Sequence, residues 1–136
     1  MSAEPPRGSF LFDENLSPQL AEALQLLEEP PVEIFYITKF FPASTDDVVY
    51  LPVLGRCGAF LITRDTKQRR KPAELAAYRT NGVGAFILGG KNLLRWDLVK
   101  QVVLSWHHIK EAAVNTQRPF AYRVRPNGGK LEPLAL

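Results

Sequence analysis

Apolar positions follow two periods along this chain, and the two alternate. Phe10-Leu11-Phe12 is a short unbroken apolar run of the kind a fully buried strand shows, and Ser17-Pro18 then sets an N-cap before a proline at the first helical position. Leu20, Leu24 and Leu27 continue at spacings of four and three, predicting a helix with one apolar face that stops at Pro30-Pro31. Val32 to Ile37 is rich in β-branched and aromatic residues and predicts a second strand. Thr45 is placed to cap a helix with Asp46 and Asp47 in its first turn, and Pro52 predicts that this helix is kinked or brief. Ala59 to Ile62 is the third strand, running into Thr63-Arg64-Asp65. Residues 72–80 read as helix and Val83 to Leu88 as a fourth strand. Trp96, Val99, Val103 and Trp106 recur at three and four, the apolar stripe of a long helix reaching residue 114. Phe120 to Val124 and Lys130 to Leu134 flank Pro126-Asn127-Gly128-Gly129, a hairpin signal.

Strands alternating with helices predict an α/β fold, a three-layer α/β/α sandwich around a mostly parallel central sheet with a C-terminal β-hairpin. The 136 residues fit one compact domain over 9–136, with a flexible tail at 1–8 and the hairpin extension at 119–136. No apolar run approaches the roughly 20 residues that cross a bilayer, so no membrane partner is expected. The chain opens without the basic start and apolar stretch of a signal peptide, and the single Cys57 has no internal disulfide partner. A cytoplasmic setting is the expectation.

Charge sharpens the picture. Residues 1–50 hold nine acidic against two basic side chains, whereas residues 51–136 hold five acidic against fifteen basic. Such a split suggests a polyanion facing the basic part, because Lys and Arg displace counterions from phosphates. The basic residues cluster after the third strand, as Arg64, Lys67, Arg69, Arg70 and Lys71. That run reads equally as solvated surface or as an RNA-backbone contact.

Two predicted buried strands each end in an aspartate, Asp13 and Asp65. In a parallel sheet, sites lie beyond the carboxyl ends of the strands, so neighbouring strands would bring these carboxylates to one edge. Asp46 or Asp47 and Glu14 are placed to join them. Clustered carboxylates repel one another unless a cation offsets them, which points to a hard divalent ion such as Mg²⁺ or Mn²⁺. The plainer reading of a lone strand-end aspartate is a turn former or cap. A carboxylate cluster beside a basic stretch is what metal-assisted phosphodiester hydrolysis requires.

The stretches FLFDENLS (10–17), FLITRDTKQRRKPAEL (60–75) and GGKNLLRWDLV (89–99) resemble the PIN-like nuclease superfamily, specifically the small VapC-related PIN-like toxin domains. The resemblance implies a PIN-like sandwich and Mg²⁺- or Mn²⁺-dependent cleavage of RNA. It makes Asp13, Asp47 and Asp65 the catalytic, metal-holding acids, with Asp46 as the alternative to Asp47 and Glu14 near the metal. Thr63 and Asn15 would support the site. It also implies a ribonuclease toxin with an antitoxin protein as partner, and a homodimer is plausible for the group. Fuller PIN sites carry a further acid shortly after the position of Asp65, whereas Thr66, Lys67 and Gln68 follow here. A catalytically degenerate RNA-binding or protein-interaction module is therefore the alternative, and a DNA-directed nuclease would share the same site.

Gly90-Lys91-Asn92 lacks the glycine spacing and the following Ser or Thr of a P-loop, which argues against nucleoside triphosphate binding, although Lys91 is placed to touch RNA phosphates. His107 and His108 are adjacent on a helix and point about 100° apart, unlike a zinc-binding pair four residues apart. Trp96 and Trp106 fit the apolar stripe better than a base-stacking platform.

Overall fold

The computed structural model describes residues 4–65 and 72–136. Six strands form one sheet: β1 (Phe10–Phe12), β2 (Ile34–Tyr36), β3 (Phe60–Arg64), β4 (Gly84–Leu88), β5 (Phe120–Val124) and β6 (Glu132–Leu134). Their order is β2-β1-β3-β4-β5-β6, with every pairing parallel except β5 to β6. Four helices connect them: α1 (Pro18–Leu27), α2 (Asp47–Cys57), α3 (Pro72–Asn81) and α4 (Arg95–Asn115). The first crossover carries the chain outward from β1 to β2, and the second returns it past β1 to β3. The β1/β3 boundary is therefore where the direction of winding reverses.

Strand pleating sorts the core into two layers. Phe10 and Phe12 of β1, Phe60 and Ile62 of β3, and Phe86 and Leu88 of β4 pack with Leu20 and Leu24 of α1 and Val102, Trp106 and Ile109 of α4. Leu11, Leu61, Ala85 and Ile87 point the other way, against Leu51 and Leu54 of α2 and Tyr78 of α3. The first layer is aromatic: Phe10 stacks on Phe60 at 5.2 Å between ring centroids, and Phe86 meets Phe120 at 5.4 Å and Tyr122 at 5.9 Å. The architecture is a three-layer α/β/α sandwich with a mostly parallel sheet, and the C-terminal hairpin supplies its last strand.

Local chemistry explains where elements begin and end. The Ser17 hydroxyl caps α1 by accepting from the Gln19 N–H at 3.2 Å. Leu20 and Leu24 are buried as the spacing predicts, but Leu27 is 80% exposed. Ten helical residues span about 15 Å against about 10 Å for a three-residue strand, so the last turn of α1 overhangs the sheet. At α2 the expected Thr45 cap is replaced. Thr45 Oγ1 donates to the Pro42 carbonyl at 2.5 Å, and Asp46 takes the cap position without a side-chain bond. Nor is the helix brief, because α2 runs eleven residues with Pro52 inside it. The carbonyl that Pro52 leaves unserved belongs to Val48, an exposed residue whose surroundings admit water. Gly55 lets α3 approach, since the Asn81 carbonyl oxygen lies 1.7 Å from where a β-carbon would stand.

The largest departure from the sequence pattern is the face of α4. Its buried residues are Leu98, Gln101, Val102, Ser105, Trp106 and Ile109. Trp96 is 72% exposed and Val103 54% exposed, so half of the expected stripe lies outside, while Val99 and Trp106 pack on the core. Two polar residues at the centre of the true buried stripe disguised it. Gln101 earns that place: its Nε2 donates to the carbonyls of Gly89 at 2.8 Å and Val124 at 3.0 Å, tying the ends of β4 and β5 together. Residues 4–8 are fastened to the end of α2, by an Arg56–Glu4 ion pair at 2.5 Å and a Gly8 N–H to Gly58 carbonyl bond at 2.9 Å. No described helix is long and apolar enough to cross a membrane.

Candidate acid cleft at the strand crossover

Asp13 is the first residue after β1, and the parallel register fixes its neighbour. Phe12 pairs with Ile62, so the next residue along β3, Thr63, stands beside Asp13. The Asp13 N–H donates to the Ile62 carbonyl at 3.1 Å. Thr63 Oγ1 donates to Asp13 Oδ2, and the Asn15 N–H donates to Asp13 Oδ1 at 3.0 Å. Both carboxylate oxygens are held, on a side chain only 7% exposed. Pleating turns Asp13 and Thr63 toward the α2 side of the sheet, away from the phenylalanine layer.

There Asp13 faces a cleft of about 150 Å³ also lined by Glu14, Asn15, Asp47 and Tyr50. Asp47 reaches it from the first turn of α2, whereas Asp46, one residue earlier, does not line it. Glu14 has a second occupation: its Oε1 accepts from the Ser44 N–H at 2.7 Å and so pins the loop that leads into α2. Tyr50, one helical turn beyond Asp47, is buried. Burial first, then hydrogen bonding to Asp47 and the negative charges of Asp47 and Asp13, push its hydroxyl far above the usual tyrosine range. Tyr36 is shifted the same way, by burial and then by Glu14 and Asp13, and it donates to the Leu16 carbonyl at 2.9 Å. The two tyrosines thus sense one concentration of negative charge. Neither was singled out from sequence, although Tyr50 sits three residues after Asp47, the helical spacing that puts both on one face.

Asp65 is placed differently. It lies two residues beyond Thr63 on the same face, a displacement of about 6–7 Å along the strand, and its N–H donates to the Leu88 carbonyl at 2.9 Å. It does not line the Asp13 cleft. Its Oδ2 is 3.9 Å from Nη1 of Arg123 on β5. Arg123 was readable in part, because Phe120, Tyr122 and Val124 alternate onto the aromatic layer and leave Arg123 on the acid side.

The donor set bears on a divalent metal. Asp13, Asp47 and Glu14 offer carboxylate oxygens to one polar cleft, which suits an ion such as Mg²⁺ that binds through one or two carboxylates and keeps several waters. Among the described residues no group of three or more His, Cys, Asp or Glu side chains is placed to hold a metal ion together. The cleft thus gathers carboxylates along one wall without forming a three-ligand metal site.

The basic residues divide as well. Arg64 points to the opposite face, where it donates to the Leu93 carbonyl at 3.2 Å and lines a separate groove beside α4. Lys91 is exposed in the loop after β4, at the carboxyl edge of the sheet. Lys67, Arg69, Arg70 and Lys71 lie outside the described residues. His107 is exposed and 3.4 Å from Glu111, one turn along the helix surface.

A family model described as PIN like domain matches residues 9–90. The match runs from β1 to the loop after β4 and includes Asp13, Asp47 and Asp65, while α4 and the terminal hairpin lie beyond it. No curated protein and no solved structure matches the chain. The match covers more than half of the sequence, and the acid cleft stands at the reversal point of its sheet: the chain belongs to the PIN-like domain family.

Proposed function

We propose that the chain is a metal-dependent endoribonuclease that hydrolyses RNA phosphodiesters and acts as the toxin of a toxin–antitoxin pair. PIN-like domains are commonly nucleases, and membership gives this chain a nuclease-type fold. The observation that carries the reading is the convergence of Asp13 and Asp47 on one polar cleft at the β1/β3 crossover. Open α/β sheets place their ligand sites at such a reversal.

In this reading Asp13 and Asp47 hold the Mg²⁺ or Mn²⁺, with Asp65 as the further carboxylate and Glu14 at the periphery. The ion, when bound, supplies a nucleophilic water at neutral pH and neutralises charge on the phosphoryl oxygens. Thr63 and the Asn15 amide fix the plane of the Asp13 carboxylate and so the direction in which it faces the cleft. Tyr50 stays neutral and steadies Asp47. Lys91 and the basic run after Asp65 receive the RNA backbone as phosphate contacts.

A second reading has its own observation. The Asp65 carboxylate faces Arg123, and the acid expected after it is absent from Thr66-Lys67-Gln68. A catalytically degenerate RNA-binding or protein-interaction module would tolerate both. Cleavage of a mixed single-stranded RNA pool by the purified protein, with Mn²⁺, with EDTA and with an Asp13→Asn variant, separates the two. Cleavage that needs both metal and Asp13 is expected. Equal inertness of wild type and variant, with RNA binding retained, would replace the enzyme by the binding module.

A further inference from the structure

A second concavity lies on the other face of the sheet edge, between the start of α1 and the start of α4, with a volume of about 540 Å³. Leu16 and Leu20 form part of its floor, Trp96 its wall, and Arg64 and Arg95 its rim. No carboxylate is among its described lining residues. Trp96 is 72% exposed, so the indole packs against little of its own chain, whereas Trp106 on the same helix is 7% exposed. The groove and the acid cleft share one residue: Asn15 lines both. The partition between them is thus the two-residue step from Asp13 to Asn15.

We propose that this groove is a nucleobase subsite for the RNA strand whose scissile phosphate lies in the acid cleft. The proposal rests on the nuclease reading for the identity of that strand. Its chemistry follows from the lining. An exposed indole offers a stacking face to any base, and two guanidiniums beside it attract the flanking phosphates. The apolar floor accepts the base's other face, and the lack of carboxylates removes repulsion. Asn15 and Ser17 offer amide and hydroxyl groups for base edges. A strand crossing the Asn15 partition would therefore leave a phosphate on the acid side while a neighbouring base stacks on Trp96.

Trp96 supplies its own reporter. With EDTA present to prevent cleavage, a short single-stranded RNA should quench the tryptophan fluorescence saturably, because the other indole is buried. Trp96→Ala should weaken RNA binding, measured by anisotropy of a labelled strand, by about tenfold, as expected for the loss of one stacked base. The exposed position predicts an unchanged melting temperature. An abasic ribose-phosphate strand of equal length should bind wild type as weakly as RNA binds the variant. Equal RNA affinity of wild type and Trp96→Ala, or equal binding of the abasic strand and RNA to wild type, would overturn the subsite and leave the groove to a protein partner. Cleavage assays with Mn²⁺ separate the two readings. A variant that cleaves with unchanged KM also defeats the subsite while the nuclease stands. If wild type binds RNA through Trp96 but never cleaves it, the subsite stands and the nuclease falls.

Discussion

The ends of β1 and β3 look alike in sequence, each an apolar run closed by an aspartate, yet the molecule puts the two carboxylates to different uses. Asp13 is held at both oxygens by Thr63 and Asn15 and faces Asp47 across an open cleft. Asp65 sits two residues deeper along its strand, outside that cleft, opposite the guanidinium of Arg123. The lesson is that equivalent positions at strand ends are equivalent only when the strands end level. Here β3 continues two residues past the point where β1 stops, so Thr63 rather than Asp65 stands beside Asp13 at the cleft.

Substituting the two aspartates tests this difference most strongly. Asp13→Asn should lower the RNA cleavage rate by more than about 100-fold, and Asp65→Asn by roughly tenfold, the scale of an outer contact to a metal site. Single-turnover cleavage with saturating Mn²⁺ measures both, and equal losses would restore the symmetry that the sequence suggests. Thr63→Val comes next. It removes the donor to a buried carboxylate and should cost about 1.5–3 kcal/mol of stability, read by urea unfolding. Arg123→Ala acts in the opposite direction on Asp65. The Arg123 side chain is 37% exposed, so the ion pair contributes at most about 1 kcal/mol, and its loss should tighten Mn²⁺ binding by no more than about fivefold in a calorimetric titration. Unchanged affinity would mean that Asp65 takes no part in holding the ion.

The smallest effect appears only in alkali. Tyr50 has a raised pKa in the folded chain, caused first by burial and then by Asp47, so the fold favours its protonated form. Its contribution is complete below the ordinary tyrosine pKa of about 10 and is lost as pH rises above it, when the unfolded chain ionises and the folded one resists. Tyr50→Phe should therefore melt like wild type relative to its own neutral value up to about pH 10 and lose less stability above it. Melting curves across that range provide the check.

Much of the fold was legible because alternation of strand and helix signals is a direct record of burial. The strands from β1 to β5, the Ser17 cap and the terminal hairpin all follow from apolar runs, turn residues and proline placement. The face of α4 was only half legible, for a physical reason: Val99 and Trp106 do turn inward, but Gln101 and Ser105 are polar residues in the core, and Gln101 is there to bond carbonyls contributed by other strands. No pattern confined to one helix contains that information. The acids divide in the same way. Asp13, and either Asp46 or Asp47, could be nominated from their positions beside a strand and a helix start, with the family resemblance favouring Asp47, but their separation from Asp65 depends on strand register, and Arg123 arrives from a strand 58 residues away in sequence. Spacing alone places Trp96 on the apolar stripe, yet it stands on the surface, where it lines the second groove.

The pairing of Phe12 with Ile62 has a consequence for how the protein comes into being. A slip of one residue between these strands would turn Asp13 into the phenylalanine layer and a phenyl ring out into the cleft. Misregistered chains would thus lose their core packing and their acid cleft for one and the same reason. Correct folding of these strands and assembly of the acid cleft are a single event.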